Sequence, residues 1–411
     1  MKYNRWTLGL AALGVVSLAS AARAEEKASM VQTALASTTL SGYVDTSAQW
    51  NLGTGNNRLP NYKFGGSSKA DGFNLDVVQI RIEKPLDEQE WAAGYRVDLW
   101  AGPDANVLGT QSVFATGSGD FAVRQAYIAL RMPVGNGIDW KVGVFDSILG
   151  YESVESPNNP NYTRSYGHSI EPQTHTGVLA SYRFADILSA SVGVANTYGP
   201  TINERAQGPN ANASGFRKAE SYKTYMASIA VTAPENLGFL AGSTLYGGIV
   251  NGFSSRYGDT TTSFYAGATV ATPVTGLRMG ASFDLLDGGG LHGETWSLAG
   301  YASFQATEKL SFHARGEYLK DRGDQKFFVT GGGTNSAATN PNQVLALTAT
   351  AQYDLWKNVI SRLEVRWDHA LTSQKTWGGT SATGGTTDAG FTYDGTLRNE
   401  WMIAANLIYK F

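Results

Sequence analysis

The sequence predicts an all-β fold, a transmembrane antiparallel up-and-down β-barrel of about sixteen strands, and three observations carry that expectation. Segments with period-two hydrophobicity keep returning between Ser41 and Phe411. The connectors between them alternate short and long. Charges gather on one face of strands whose other face is apolar. A tilted strand of about ten residues is long enough to cross hydrocarbon, and an even-stranded barrel with turns on one side and loops on the other requires that alternation.

Taken in chain order, the N-terminus comes first. Lys2 and Arg5 precede an apolar run from Leu8 to Ala19, and Ala22-Arg23-Ala24 has the small-x-small form of a signal-peptidase site. Residues 1–24 are therefore expected to be a removed export signal. The competing reading, a retained membrane anchor, is disfavoured because the run is too short to span a bilayer as a helix. Removing three positive charges and no negative ones takes the formal net charge from −3 to −6, a modest acidic balance that gives no support to nucleic-acid binding. There is no cysteine, so thiol catalysis, thiolate metal sites and disulfides are excluded. Residues 25–40 are expected to be a periplasmic N-terminal segment, and residues 41–411 the outer-membrane barrel.

Sixteen strands are expected. The first eight run over 41–50, 73–83, 91–100, 121–131, 138–145, 174–184, 188–198 and 222–233. The second eight run over 239–253, 263–272, 276–286, 294–305, 309–319, 343–353, 358–370 and 397–411. "KPLDEQE", "MPVGNG", "ADI", "PENLG", "PVT", "ATE" and "DLWKN" are the short connectors, and the long ones include 51–72, 146–173 and 320–342. In "SRLEVRWD", Leu363, Val365 and Trp367 oppose Arg362, Glu364, Arg366 and Asp368; in "LSFHARGEY", Leu310, Phe312 and Ala314 oppose His313, Arg315 and Glu317. A soluble β-protein would bury the apolar set, whereas a barrel in lipid turns it outward. Tyr182, Phe184, Phe304, Tyr353, Trp401, Tyr409 and Phe411 lie near strand ends on the apolar side, as interfacial girdles do. The last strand reads apolar at Trp401, Ile403, Ala405, Leu407, Tyr409 and Phe411, so Phe411 is expected to close the barrel against the first strand.

No enzyme is expected. "GGGLHG" at Gly288–Gly293 fits a dinucleotide pattern only formally, since a strand follows it rather than a helix. His168 and His175 are better suited to hydrogen bonding at a pore mouth than to a metal site, and no Ser-His-acid set can be assembled on the outward faces. No cofactor is implied. Arg81, Arg96, Asp98, Arg131, Lys141, Arg278, Arg315, Glu317, Arg362, Glu364, Arg366 and Asp368 are expected to face a water-filled lumen, with Arg183, Glu83, Asp139 and Asp284. Opposed charges on such a wall order water and penalise apolar solutes, and the slight cationic surplus predicts weak anion preference. The loop "DSILGYESVESPNNPNYTRSYGHSIEPQ" is long enough to be functional. Its residues Tyr151, Glu152, Glu155, Tyr162, Arg164, Tyr166, His168 and Glu171 are expected to form a constriction if it folds inward.

Four motifs, "VRQAYIAL" at Val123–Leu130, "KVGVFDSILGYE" at Lys141–Glu152, "NYTRSYGHSIEP" at Asn161–Pro172 and "HTGVLASYRF" at His175–Phe184, resemble the OmpL-like outer-membrane porins of Gram-negative-type bacteria. The resemblance implies a barrel that passes small hydrophilic solutes by diffusion, with no catalytic residue. It also implies outer-membrane lipid as surroundings, recognition of the strand ending in Phe411 by the barrel-assembly machinery, and, by analogy, a homotrimer. Two alternatives stay open at this point. A secreted or surface-attached all-β binding module would dissolve without detergent, and a sugar-specific channel would need a run of inner aromatics that Tyr43, Tyr127 and Tyr301 are too scattered to supply.

Overall fold

The computed structural model describes residues 37–52, 62–65, 69–87, 89–111, 119–206, 218–289, 293–321, 343–373, 375, 377 and 397–411. The export signal and most of the 25–40 segment lie outside the described residues, as does the middle of "GGGLHG".

Sixteen strands form, β1 (Thr39–Leu52), β2 (Gly72–Lys84), β3 (Ala92–Ala101), β4 (Phe121–Met132), β5 (Ile138–Asp146), β6 (Thr174–Ala185), β7 (Leu188–Ala195) and β8 (Thr224–Thr232) making the first half. The second half is β9 (Thr244–Ser254), β10 (Asp259–Ala271), β11 (Leu277–Asp287), β12 (Glu294–Gln305), β13 (Leu310–Asp321), β14 (Gln343–Trp356), β15 (Val359–Ala370) and β16 (Asn399–Lys410). Each pairs antiparallel with its chain neighbours, and β1 also pairs with β16, so the sheet closes on itself. At the seam the Phe411 N–H donates to the Gly42 carbonyl at 3.0 Å and the Gly42 N–H returns a bond of 2.9 Å. Phe411 is thus part of the ladder.

Two strand starts differ from expectation by four residues or more, and one is β10, which begins at Asp259 instead of Ser263 so that only a tight turn separates it from β9. The stretch from Phe239 does not open β9; Glu235–Leu240 forms a 3-10 turn and the strand begins at Thr244. Gly238 and Gly242 sit at φ +60° and +76°, left-handed values that bend the chain away from an extended ladder.

The side-chain facing is that of a protein in lipid. On β15, Leu363 and Val365 are 56% and 38% exposed, while Arg362, Glu364, Arg366 and Asp368 are at most 3% exposed. On β16, Trp401, Leu407 and Tyr409 are exposed and Glu400, Asn406 and Ile408 buried. Leaving a large apolar side chain in water forgoes about 1.5–3 kcal/mol of burial, and many strands repeat the pattern, so the outer surface is stable only against acyl chains. Among the described residues no helix is long and apolar enough to cross a membrane, and the crossing is made by strands.

Two bulges re-aim side chains. On β2, Asp45 of β1 pairs with Val77 and Thr46 with Leu75, leaving Asp76 as the extra residue. On β4, Asp98 of β3 pairs with Gln125 and Leu99 with Val123, leaving Arg124 extra. A bulge shifts the alternation by one residue, so Arg124 and its neighbour Gln125 both turn inward, at 1% and 2% exposure.

Candidate functional site: a loop held inside the barrel

The loop between β5 and β6 enters the barrel and bonds to its inner wall in three sectors. Locally it is built around small polar hinges. Asn159 donates to the Ser153 and Glu155 carbonyls at 2.7 and 2.8 Å and accepts from the Ser153 N–H at 2.8 Å. Arg164 donates to the Ser153, Tyr162 and Val154 carbonyls. A one-turn helix, α1 (Tyr166–Ile170), is capped by Ser165, whose hydroxyl accepts from the His168 N–H at 3.1 Å.

The first sector is apolar. Ile148, Leu149 and Ile170 of the loop pack with the inward-facing Leu179, Met226, Val250, Tyr265 and Leu286. At this level the inner wall of β6–β11 is therefore greasy, which strict alternation of oily-out and polar-in does not anticipate.

The second sector is ionic. Glu364 on β15 accepts from the Tyr162 N–H (2.6 Å), the Thr163 N–H (3.0 Å), the Thr163 hydroxyl (2.6 Å) and the Thr350 hydroxyl (2.7 Å). Arg315 on β13 bridges Glu152 at 2.8 Å and Glu317 at 3.0 Å and donates to the Thr163 carbonyl at 2.8 Å. The Tyr166 N–H donates to Glu317 and its hydroxyl to Asp368, at 2.6 and 2.7 Å. Arg366 pairs with Asp368 at 2.9 Å and lies over the rings of Tyr62 and Tyr166. Arg362 donates to the Ser156 and Asn159 carbonyls. Arg164, Arg315, Arg362 and Arg366 thus stand against Glu152, Glu317, Glu364 and Asp368, four charges of each sign.

The third sector is β2–β4. Glu155 reaches Arg81, Arg96 and Arg124, with Arg96 at 3.1 Å and Arg124 at 3.0 Å. Asp98 takes the same three guanidiniums from below, at 2.8, 2.8 and 2.7 Å, and Arg124 also meets Asp146. Three cations again face three anions. Burial alone would raise the Glu155 carboxyl, but Arg81, Arg124 and Arg96 outweigh it and hold the group below the usual carboxylate range.

The expected lining is therefore inward but unevenly wetted. Asp98, Arg315, Glu317, Arg362, Glu364, Arg366 and Asp368 are buried; all but Asp98, whose partners are wall residues, bind the loop instead of bordering free water, because the loop supplies carbonyls, amides and carboxylates that solvent would otherwise provide. Arg81 and Arg96 stay about one-fifth exposed. Toward the short-turn end Arg131 pairs with Asp139 at 2.7 Å, Lys141 lies 5.0 Å over the Tyr127 ring, and Arg278 is partly exposed. Arg183 sits at the rim, paired with Asp186. The slight cationic surplus anticipated for the lumen is absent from the two networks, which balance.

His168 and His175 are both buried, and no group of residues suited to a metal occurs among the described residues. Burial, then Arg164, Lys63 and Arg315, push the His168 imidazole well down, so it is neutral. Glu171 moves the other way: burial first, then Asp284 on β11, raise its carboxyl well above normal. Tyr151 stacks on Tyr301 with centroids 4.0 Å apart. Arg124 was missed by sequence reasoning, although the adjacent polar pair Arg124-Gln125 in an alternating strand was a legible sign of a bulge.

The fold agrees with known proteins. At 12% identity and a TM-score of 0.52, the chain resembles the trimer form of OmpT, an outer membrane protein of Vibrio cholerae, over 91% of this chain and 99% of that one. The anion-selective porin from Comamonas acidovorans matches with the same figures. Salmonella typhi OmpF in complex with daunomycin matches at 14% identity and a TM-score of 0.54, over 91% and 97%. No curated protein sequence matches the chain. The profile described as "Putative beta-barrel porin-2, OmpL-like" matches residues 37–397, the whole span from β1 to the foot of β16. With a closed sixteen-strand barrel, an apolar exterior and that match, the chain belongs to the OmpL-like beta-barrel porins of the outer membrane, a family of passive channels.

Proposed function

We propose that this porin passes small hydrophilic solutes through a passage narrowed by the 146–173 loop, with weak preference for anions. The observation that supports this most directly is the bonding of that loop to β2–β4, β13–β15 and the β6–β11 wall at once. A segment fixed on three sides leaves only a residual cross-section for diffusion. Because the buried networks balance, ion preference falls to the wetted residues near the short-turn end, Lys141 and Arg278 first. Liposome swelling with neutral sugars of increasing size tests the exclusion limit: a sharp cut-off that widens when residues 151–166 are replaced by a short Gly-Ser link supports the loop's role. Reversal potentials in a salt gradient test the ion preference, and clear cation selectivity would overturn it.

The same reading includes export by a signal spanning residues 1–24, a periplasmic segment over 25–40 and a barrel domain from 41 to 411. It further includes recognition of the strand ending in Phe411 by the barrel-assembly machinery, and assembly as a homotrimer. Crosslinking in native membranes tests the trimer, and N-terminal sequencing of the mature chain tests cleavage after Ala24.

A further inference from the structure

Glu155 occupies a position that a free carboxylate could fill. Its Oε1 is shared by Arg81, Arg96 and Arg124, and its Oε2 accepts from Asn158 at 3.1 Å. The floor of this cradle is Asp98, fully buried, with Asp146 at the side of Arg124. With Glu155 in place, three guanidiniums face three carboxylates. With Glu155 withdrawn, three face two, and the cradle carries one uncompensated positive charge at a site of low exposure. Such a charge is costly to leave unpaired, so the empty cradle demands one negative charge. Arg81 and Arg96 each keep about one-fifth of their side chain open, giving a solute in the barrel a route to the guanidinium forks. Arg124 Nε has no hydrogen-bond partner among the described residues, a donor that a second anion oxygen could use.

We propose that Arg81, Arg96 and Arg124 form a binding site for small monocarboxylates, that Glu155 is its internal occupant, and that a permeating carboxylate displaces Glu155 and frees the tip of the loop. This rests on the channel reading above and gives it a ligand class and a regulated step. The exchange swaps one carboxylate for another in the same charge-assisted bonds, so contacts on the two sides nearly cancel. The tether is what favours Glu155. An intramolecular competitor of this kind acts at an effective concentration of about millimolar or above, so competition is expected at carboxylate concentrations on the order of tens of millimolar. Release does not unfold the loop, because the contacts at Glu364, Arg315 and the apolar wall do not involve Glu155.

The test is single-channel recording of the full chain in planar bilayers at constant ionic strength, with chloride replaced stepwise by acetate. Acetate is less mobile than chloride in bulk, so a plain pore loses conductance on replacement. The wild type is expected to gain conductance, saturably, with half of the effect at tens of millimolar acetate. Glu155→Gln is expected to start at the raised level and then to fall with replacement as a plain pore does. Glu155→Asp, which keeps the charge on a shorter stem, is expected to start between the two, and heat-modifiable migration on gels verifies that both variants form barrels. Conductance that follows bulk mobility in all three proteins overturns the carboxylate site but leaves the channel intact. Absence of any conductance overturns the channel reading and the site together.

Discussion

Replacing Arg315 by Met offers the most exacting test of how the loop is held. The guanidinium is fully buried and serves Glu152, Glu317, the Thr163 carbonyl and hydroxyl, and the Thr348 hydroxyl. Met fills much of the same volume, so the change is chiefly electrostatic. It strands two carboxylates in a dry site, and removing one partner of a buried pair costs about 3–5 kcal/mol. Glu317 keeps Arg366 at 3.3 Å and the Tyr166 N–H, whereas Glu152 is left, among the described residues, with the Ser165 N–H at 2.7 Å. The loop end around Glu152 therefore bears most of the loss. At about 1.4 kcal/mol per tenfold, the detached fraction of the loop should rise by about two to three and a half orders of magnitude. Limited proteolysis of the folded barrel in detergent should show faster cleavage between residues 146 and 173, and single-channel records should gain open-state noise. Adding Glu152→Gln to Arg315→Met should restore part of the protection, since the stranded charge is gone. If cleavage and noise in Arg315→Met equal those of the wild type, the ionic sector does not hold the loop.

Three further outcomes are expected. Leu363→Arg places a cation on the lipid face near the middle of β15 and should destabilise the barrel by about 2–4 kcal/mol, measured by urea unfolding in phospholipid vesicles, while Leu363→Ile should change little. Deleting Phe411 removes the two backbone bonds to Gly42, worth about 1–3 kcal/mol together, and should slow the appearance of the heat-modifiable folded band. The Glu171 carboxyl is raised by burial and by Asp284: the folded protein keeps this proton where the unfolded chain has lost it, so its stabilising effect is full below the ordinary carboxylate range and is lost as pH rises through the raised value. Protease protection of the loop should thus weaken toward alkaline pH, and Glu171→Gln should flatten that dependence.

Strand number and facing were open to sequence reasoning because period two is a local property. Leu363 and Val365 against Arg362, Glu364 and Arg366 declare both faces of β15 within five residues. The inner packing was not open to it. Glu155 lies in "VESPNN", and nothing near it in the chain announces three arginines on β2, β3 and β4, which come together only once the barrel has curved. Likewise Leu179, Met226 and Val250 are inward because Ile148, Leu149 and Ile170 cover them. Arg124 shows the limit of alternation itself: one extra residue in β4 reverses the side on which everything before it lies. The inner tyrosines that looked scattered along the chain are partly gathered in space, Tyr151 on Tyr301 and Tyr127, Tyr246 and Tyr257 around the same cluster.

A closed sheet one layer thick is a thin-walled tube, and lateral pressure in a bilayer tends to flatten such a tube into an ellipse. The loop between β5 and β6 joins separate arcs of the circumference, Glu155 on one, Glu152 with Thr163 on another, and Ile148 with Leu149 on a third. It therefore serves as an internal strut. Ovalising the wall would have to stretch or shear those attachments together.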